Sequence, residues 1–377
     1  PPASVPDGWN ADRAAAIKRA VGSRIPVAVV GRICNRKTAE NIIASGKADL
    51  VAMGRALLAD PFLPAKLAEG RDDEILTCIG CNEGCTGMLN ECRPISCALN
   101  PRTGYEDDYP MTQADAPKAV VVIGGGPAGC EAALTAAQRG HKVVLFEATS
   151  TLGGLANIAA LPPGKGVFAT LGTYFSTMLP RAGVDVRLNT KADADAVRAL
   201  HPDHVIVATG GTPIVPRFCA DSPVVLAQDI LTGAAQAGSR VLVIGGGLVG
   251  SETAEFLAAK GREVTVVELR DGIALDMEYK TRQMLMPKLA ALGVVCLTET
   301  EVLEIGCNGN VKVKTPYLEK ELSGFDTVVV ALGYRPDAAL CADLAAADID
   351  FVQVGDCKKV GKIINGVWEA FQLAYRI

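Results

Sequence analysis

The sequence predicts an α/β protein built from the end of a (β/α)8 barrel, a cysteine-rich segment and two dinucleotide-binding domains. Three observations carry this. Two strand, Gly-Arg, helix units precede residue 77, the segment Cys78–Cys97 reads CIGCNEGCTGMLNECRPISC, and a glycine-rich fingerprint occurs twice, at Gly124–Gly129 and Gly245–Gly250. A C-x2-C-x3-C-x11-C run is a ligand set for an iron-sulfur cluster, and beside two nucleotide sites it suggests a chain that moves electrons.

Composition is compatible with that reading. With 377 residues, 49% of them hydrophobic, the chain can bury more than one core, which suggests two or three domains. Twelve cysteines would suggest disulfides in a short secreted chain. No charged-then-apolar leader precedes Pro1–Pro6, however, and glycine-rich nucleotide motifs are typical of a reducing compartment, so the cysteines are read as thiols and cluster ligands. A net charge of -5 without a block of Lys and Arg argues against nucleic acid. No uncharged stretch is long enough to cross a bilayer. A soluble, cytoplasmic protein is expected.

In chain order, Ile25–Val30 reads as a buried-type strand ending in Gly31-Arg32, and Asp49–Met53 as another ending in Gly54-Arg55. Thr38–Ser45 has helical spacing between them. Asp60-Pro61 resembles an N-cap with proline at the first helical position, before Leu63, Lys66 and Leu67. After the last two strands of a (β/α)8 barrel, glycine lets the backbone approach a phosphate and arginine supplies a forked cation. Gly31-Arg32 and Gly54-Arg55 fit that role. Strands ending in glycine and surface arginines are also ordinary in α/β proteins, and taken alone the ordinary reading is the stronger. A complete barrel needs about 250 residues. Residues 1–76 therefore look like the C-terminal units of a longer barrel, completed by the same chain or by a partner.

The cysteines Cys78, Cys81 and Cys85 crowd together with one remote fourth, Cys97. Zinc ribbons instead present two close pairs far apart, so a 4Fe-4S cluster outranks zinc, and both outrank a disulfide framework. Cys92 is the spare thiol, since its use would shorten the last spacing. Gly80, Gly84 and Gly87 relieve crowding where the backbone must wrap a cluster and donate N–H groups to its sulfurs.

A polar linker at Thr103–Asp115 leads to strand Ala119–Ile123, the turn Gly124–Gly129, the helix Cys130–Arg139, and a second strand, Lys142–Phe146, closed by Glu147. Gly124 makes the tight turn, Gly126 lets a pyrophosphate approach the helix N-terminus, Gly129 lets helix pack on strand, and Glu147 can accept from ribose hydroxyls. The unit returns at Arg240–Glu268, with Gly245, Gly247 and Gly250 in the turn, helix Ser251–Lys260 and Glu268 at the same distance. Two such folds imply two dinucleotides, usually a tightly held FAD in the first and an exchangeable nicotinamide in the second. Glu268 would repel a 2′-phosphate, which favours NADH over NADPH; nearby Arg270 softens the preference.

From about Ile25 onward the chain resembles the C-terminal part of the NADH:flavin oxidoreductases related to 2,4-dienoyl-CoA reductase, enoate reductase and trimethylamine dehydrogenase. The matching segments are Gly31-Arg32, Gly54-Arg55, CIGC with Cys85 and Cys97, GGGPAG at Gly124–Gly129, LGG at Leu152–Gly154, VIVATGG at Val205–Gly211, VVVALG at Val328–Gly333 and VGDC at Val354–Cys357, all in the family's order. The resemblance implies a flavoprotein reductase fold. Its domains would be 1–76 as the end of an FMN-type barrel, 77–117 as the 4Fe-4S segment and linker, 118–225 with 325–377 as the FAD domain, and 226–324 as an inserted NAD(P)H domain. It further implies that Gly153-Gly154 line the flavin. Thr209-Gly210 and Gly333 would lie in the hinges between the nucleotide domains. Gly355-Asp356 would meet the FAD ribityl and pyrophosphate, with a helix beginning near Lys362 pointing at the flavin.

The implied activity passes electrons from NADH through FAD and the cluster to FMN, which reduces an activated C=C bond of an enoate or enoyl thioester. The barrel residues that would grip substrate are not in this chain, so its catalytic residues and substrate cannot be read. Oligomeric state is equally open, a homo-oligomer being one option. Three other readings stand beside this one: an electron-input subunit like the small subunit of glutamate synthase, an amine dehydrogenase like trimethylamine dehydrogenase, and a non-enzymatic zinc-binding module. A disulfide reductase ranks lower, because CIGC precedes the first nucleotide domain. His141, His201 and His204 are expected at the surface, and Cys130, Cys219, Cys296, Cys307, Cys341 and Cys357 are expected to serve packing.

Overall fold

The computed structural model describes residues 1–219, 224–306 and 309–377. It contains two compact units, one of Pro1–Asn157, Val167–Gly210 and Pro336–Ile377, the other of Ile158–Gly166 and Gly211–Arg335.

The first unit begins with helix Ala11–Val21, which the sequence reading passed over although Ala11, Ala14 and Ala15 share a face and Gly22 ends it. Strands Ala28–Val30 and Leu50–Ala52 pair in parallel, with Val29 opposite Val51. Both are shorter than expected. Val29 packs with Ala11, Ala14, Ile33, Ile42 and Ala48, whereas Val30 and Leu50 are exposed. Successive residues of a strand face opposite sides, so one face meets the helices and the other is the face a closed barrel turns inward. Helix Arg36–Ala44 is capped by Asn35, whose side chain accepts from the Thr38 N–H. The expected cap at Asp60 takes a different form. Helix Leu63–Ala68 starts later, and the Asp60 carboxylate is buried, accepting from the N–H groups of Phe62 and Leu76 and pairing with Lys66 at 2.7 Å.

The same unit holds a five-stranded parallel sheet in the order Val352–Gln353, His204–Val207, Ala119–Ile123, Lys142–Phe146 and Asp185–Arg187. The fingerprint strand is central. Its sheet packs through Val121, Ile123, Phe146, Val205 and Val207 onto Val197 and Leu344. Helix Pro127–Gln138 lies against the last helix, Ile363–Tyr375.

In the second unit the order is Val295–Leu297, Glu263–Val267, Arg240–Ile244, Thr327–Val330 and Val224–Leu226, again parallel and again with the fingerprint strand central. An antiparallel sheet of Glu301–Ile305, Val311–Lys314 and Glu319–Leu322 joins it through Val311, Val313 and Ile305. Because Val224–Leu226 and Thr327–Val330 pair inside this sheet, the inserted unit is longer than the expected 226–324. It runs from Gly211 to Arg335 and recruits Ile158–Gly166.

His141 corrects the surface expectation. It is buried, its Nδ1 accepts from the Lys118 N–H at 3.1 Å, and burial lowers its pKa. Cys130 and Cys357 pack as expected, their thiols donating to the Gly125 and Val207 carbonyls. Cys307 and the Cys219 side chain lie outside the described residues. No helix among the described residues is long and apolar enough to cross a membrane.

Candidate functional site

The cysteine segment turns through the left-handed Asn82 and a π-helical turn at Glu83–Gly87, then doubles back. The two passes meet closely. A Cβ on Gly84 would stand 2.9 Å from the Cys97 carbonyl carbon, so the crossing requires glycine, and both the amide and the hydroxyl of Ser96 donate to the Gly84 carbonyl. The result is one cavity lined by Cys78, Cys81, Cys85 and Cys97 together with Arg55, Asn82 and Leu99. Cys92 is exposed and does not line it.

Each of three sulfurs receives the backbone N–H two residues on, Cys78 from Gly80, Cys81 from Glu83 and Cys97 from Leu99. Such amides stabilise sulfur-centred negative charge. Burial opposes it, pushing Cys81 well up and Cys97 up to about 11. Cys78 goes the other way, down to about 6, chiefly through a hydrogen bond from Cys34, with Gly80, Arg55 and Arg32 assisting. Cys34 keeps its proton. Four thiolates in this setting would require a cationic centre, which is the chemistry of a metal site. Among the described residues no three His, Cys, Asp or Glu side chains converge closely enough to hold a single metal ion; the four thiols border a cavity instead.

The last helix of the first unit reaches this segment. The Trp368 indole donates to the Cys97 carbonyl at 2.8 Å, and Lys362, at the helix N-cap, pairs with Glu83 at 2.9 Å. Tyr105 packs edge-on to Trp368.

The first fingerprint forms a glycine-walled cradle. A Cβ on Gly129 would lie 1.9 Å from the Gly124 carbonyl oxygen, so only glycine lets helix Pro127–Gln138 approach its strand. Glu147 accepts from the N–H groups of Gly125 and Thr149, both at 2.7 Å, and the Gly153 N–H donates to the Gly125 carbonyl. Gly154 lies against Gly126, and Gly355 against Ala128. The Gly355 N–H donates to Glu369, and Asp356 accepts from Gly361, its carboxyl pushed up by burial. Thr209 donates to the Asp337 carbonyl and Asp337 N–H returns to Gly210, tying the two crossings of the chain together on this side. Gly124, Gly126, Gly129, Glu147, Gly153, Gly154 and Gly355 thus border one helix N-terminus, a cradle that suits a dinucleotide.

The second fingerprint repeats the bonding. Glu268 accepts from Gly246 N–H at 2.7 Å and from Arg270 N–H at 2.8 Å, as Glu147 does from Gly125 and Thr149. Gly250 approaches Gly245 as Gly129 approaches Gly124. On helix Leu248–Ala259, Glu252 forms a buried ion pair with Lys165 at 2.5 Å; burial pushes its carboxyl up and Lys165 opposes this. Gly333 has φ +86° and its carbonyl accepts from Ile214.

The two Gly-Arg pairs behave differently from a phosphate clamp. Arg32 is buried, paired with Asp7 at 2.9 Å and bonded to the Pro2 carbonyl. Arg55 donates to Asn82 at 2.6 Å and to the Pro1 carbonyl, and lines the cysteine cavity. Arg32 is already neutralised, so these residues do not by themselves fit an FMN phosphate. Sequence reasoning missed Asp7, Cys34, Trp368 and Glu369, none of which belongs to a spaced motif.

Residues 118–356 match the family described as "Pyridine nucleotide-disulphide oxidoreductase", and residues 10–74 match the "NADH:flavin oxidoreductase / NADH oxidase family". The chain is 42% identical to an NADH oxidase of Thermoanaerobacter brockii, over all of this chain and 59% of that enzyme. It is 40% identical to a bilirubin reductase of Mediterraneibacter gnavus, over 96% of this chain and 56% of that enzyme. A solved 2-naphthoyl-CoA reductase complex superposes with a TM-score of 0.94 at 32% identity, covering 100% of this chain and 57% of that one. The chain therefore spans less than three fifths of the length of these relatives.

Proposed function

Because this chain belongs to the pyridine nucleotide-disulphide oxidoreductase family, as the C-terminal region of an NADH:flavin oxidoreductase of the 2,4-dienoyl-CoA reductase type, we propose that it delivers electrons from NADH through FAD to a 4Fe-4S cluster. In the whole protein these would serve an FMN-bearing barrel that reduces an activated C=C bond, of an enoate or enoyl thioester. When bound, FAD supplies exchange between hydride and single electrons, which is what a one-electron cluster needs from a hydride donor.

The residues of this chain divide the work. Gly124, Gly126, Gly129, Glu147, Gly153, Gly154, Gly355 and Asp356 would hold FAD, and the helix starting after Lys362 would offer it a positive N-terminal end. Thr209 and Gly210 restrain the crossing between nucleotide domains. Gly245, Gly247, Gly250 and Glu268 hold NADH, and the Glu268 carboxylate disfavours the 2′-phosphate of NADPH. Cys78, Cys81, Cys85 and Cys97 would hold the cluster, and Arg55, which lines the same cavity, would offset its negative charge. Arg32, already paired with Asp7, is not free to hold an FMN phosphate. Its site, the substrate grip and the catalytic acid belong to the rest of the barrel, whether in the same or a separate chain, and a homo-oligomer is compatible with this division. We place the protein in the cytoplasm, where thiols stay reduced.

One observation carries the proposal: four thiols line one cavity, and the helix closing the first nucleotide fold bonds to that segment through Trp368 and Lys362. The match at residues 10–74 favours it over an electron-input subunit without a barrel. Iron, zinc, FAD and FMN quantified in the purified chain test it. About four irons with bound FAD support the proposal, whereas a colourless zinc protein without flavin overturns it.

A further inference from the structure

The two fingerprints differ at the N-terminus of the helix that follows. In the first, the helix opens with Pro127, which has no N–H, and a Cβ on Gly126 would find no atom of the described residues within 4 Å. In the second, the opening residue is Leu248. Its N–H donates to both carboxylate oxygens of Asp276, at 2.9 and 3.1 Å, and a Cβ on Gly247 would stand 3.3 Å from that carboxylate. The positive end of a fingerprint helix is where a dinucleotide diphosphate sits. Here a side chain of the protein already supplies an anion.

The loop that brings Asp276 there is fixed close by, while its carboxylate is open to solvent on one side. Ala274 donates its N–H to the Gly246 carbonyl at 2.7 Å, and Ile273 is buried against the turn. The Asp276 side chain is half exposed. Arg270, bonded to Glu268 at 3.3 Å, holds a guanidinium nitrogen 3.9 Å from it, so a displaced carboxylate has a cation to move toward.

We propose that Asp276 is a resident anion of the nicotinamide cradle, displaced by the diphosphate of the incoming dinucleotide. The contact satisfies the helix N-terminus between turnovers and offsets part of the dinucleotide's binding energy, which suits a coenzyme that must leave each cycle. Among the described residues the first cradle, opening with proline, has no equivalent contact, which suits a cofactor that stays. The inference rests on the reading of Gly245–Gly250 as the nicotinamide site.

Isothermal titration of the FAD-saturated chain with ADP-ribose, which carries the diphosphate without the redox ring, and with adenosine, which lacks it, tests the proposal on wild type, Asp276→Asn and Asp276→Ala. Both variants are expected to bind ADP-ribose about tenfold more tightly, as removal of a competing charged hydrogen-bond acceptor implies, with adenosine binding unchanged. Asparagine preserves the shape of the loop, so a folding defect confined to the alanine variant leaves the comparison intact. Equal or weaker ADP-ribose binding by Asp276→Asn would overturn the role of Asp276 while leaving the nicotinamide site standing. Failure of every form, wild type included, to bind ADP-ribose would overturn the nicotinamide reading and this inference with it.

Discussion

The indole N–H of Trp368 donates to the carbonyl of Cys97 at 2.8 Å, joining the last helix of the first nucleotide fold to the distant member of the cysteine set. The helix N-cap, Lys362, reaches Glu83 between Cys81 and Cys85. Two bonds from one helix therefore brace both passes of the cysteine segment. Trp368→Phe keeps an aromatic ring on this helix but removes the indole N–H together with its five-membered ring, the lost hydrogen bond alone costing about 1 kcal/mol. The variant is expected to retain FAD and lose iron to a chelator several-fold faster than wild type, followed as flavin absorbance and iron release in one experiment.

The cavity distinguishes the cysteines from one another. Cys81→Ala and Cys97→Ala are expected to abolish iron binding, while Cys92→Ala, which alters an exposed thiol outside the cavity, retains it. Iron per chain after anaerobic reconstitution reads the difference.

Glu268 holds the Gly246 N–H and, on the proposed function, would present its charge to the ribose of NADH. Glu268→Gln keeps an acceptor for Gly246 and removes the charge. The ratio of NADPH to NADH in the rate of flavin bleaching is expected to rise about tenfold, in line with one charged contact. An unchanged ratio would assign the coenzyme preference elsewhere.

Glu131 lies buried in the first fingerprint helix, and burial raises its pKa from 4.5 to about 7, with Thr135 opposing. A carboxyl whose folded pKa is raised favours the folded state fully below pH 4.5 and loses that advantage as pH rises to 7, because the unfolded chain releases its proton first. Glu131→Gln should thus be more stable than wild type at pH 8, by at most roughly 3 kcal/mol, and should lack the decline between these pH values. Melting temperatures of both proteins across pH 4.5–8 check the sign.

The sequence made most of this site legible for a physical reason. Fingerprint glycines and their closing acids act through backbone geometry, so Gly124, Gly129, Glu147 and their counterparts Gly245, Gly250 and Glu268 are spaced in sequence as they are in space. The close spacing of Cys78, Cys81 and Cys85 carries similar information. Contacts between distant segments carry none. Cys34 meets Cys78 across a strand and three helices, Arg32 finds Asp7 where a phosphate was expected, and Asp276 returns to Leu248 from the far side of a strand. His141 follows Gly140 and is expected at the surface, yet its ring is buried and accepts from the Lys118 amide. The inserted unit extended beyond its expected limits because strand pairing, at Val224–Leu226 with Thr327–Val330, is a property of the sheet and not of either segment.

The most direct test of electron delivery is an anaerobic experiment in which one equivalent of NADH is mixed with the reconstituted chain, with flavin absorbance followed in time and samples frozen for electron paramagnetic resonance. Bleaching of FAD accompanied by the signal of a reduced 4Fe-4S cluster, absent from Cys81→Ala although its flavin still bleaches, is the predicted result. Flavin bleaching with a cluster that stays oxidised at every time point would contradict it.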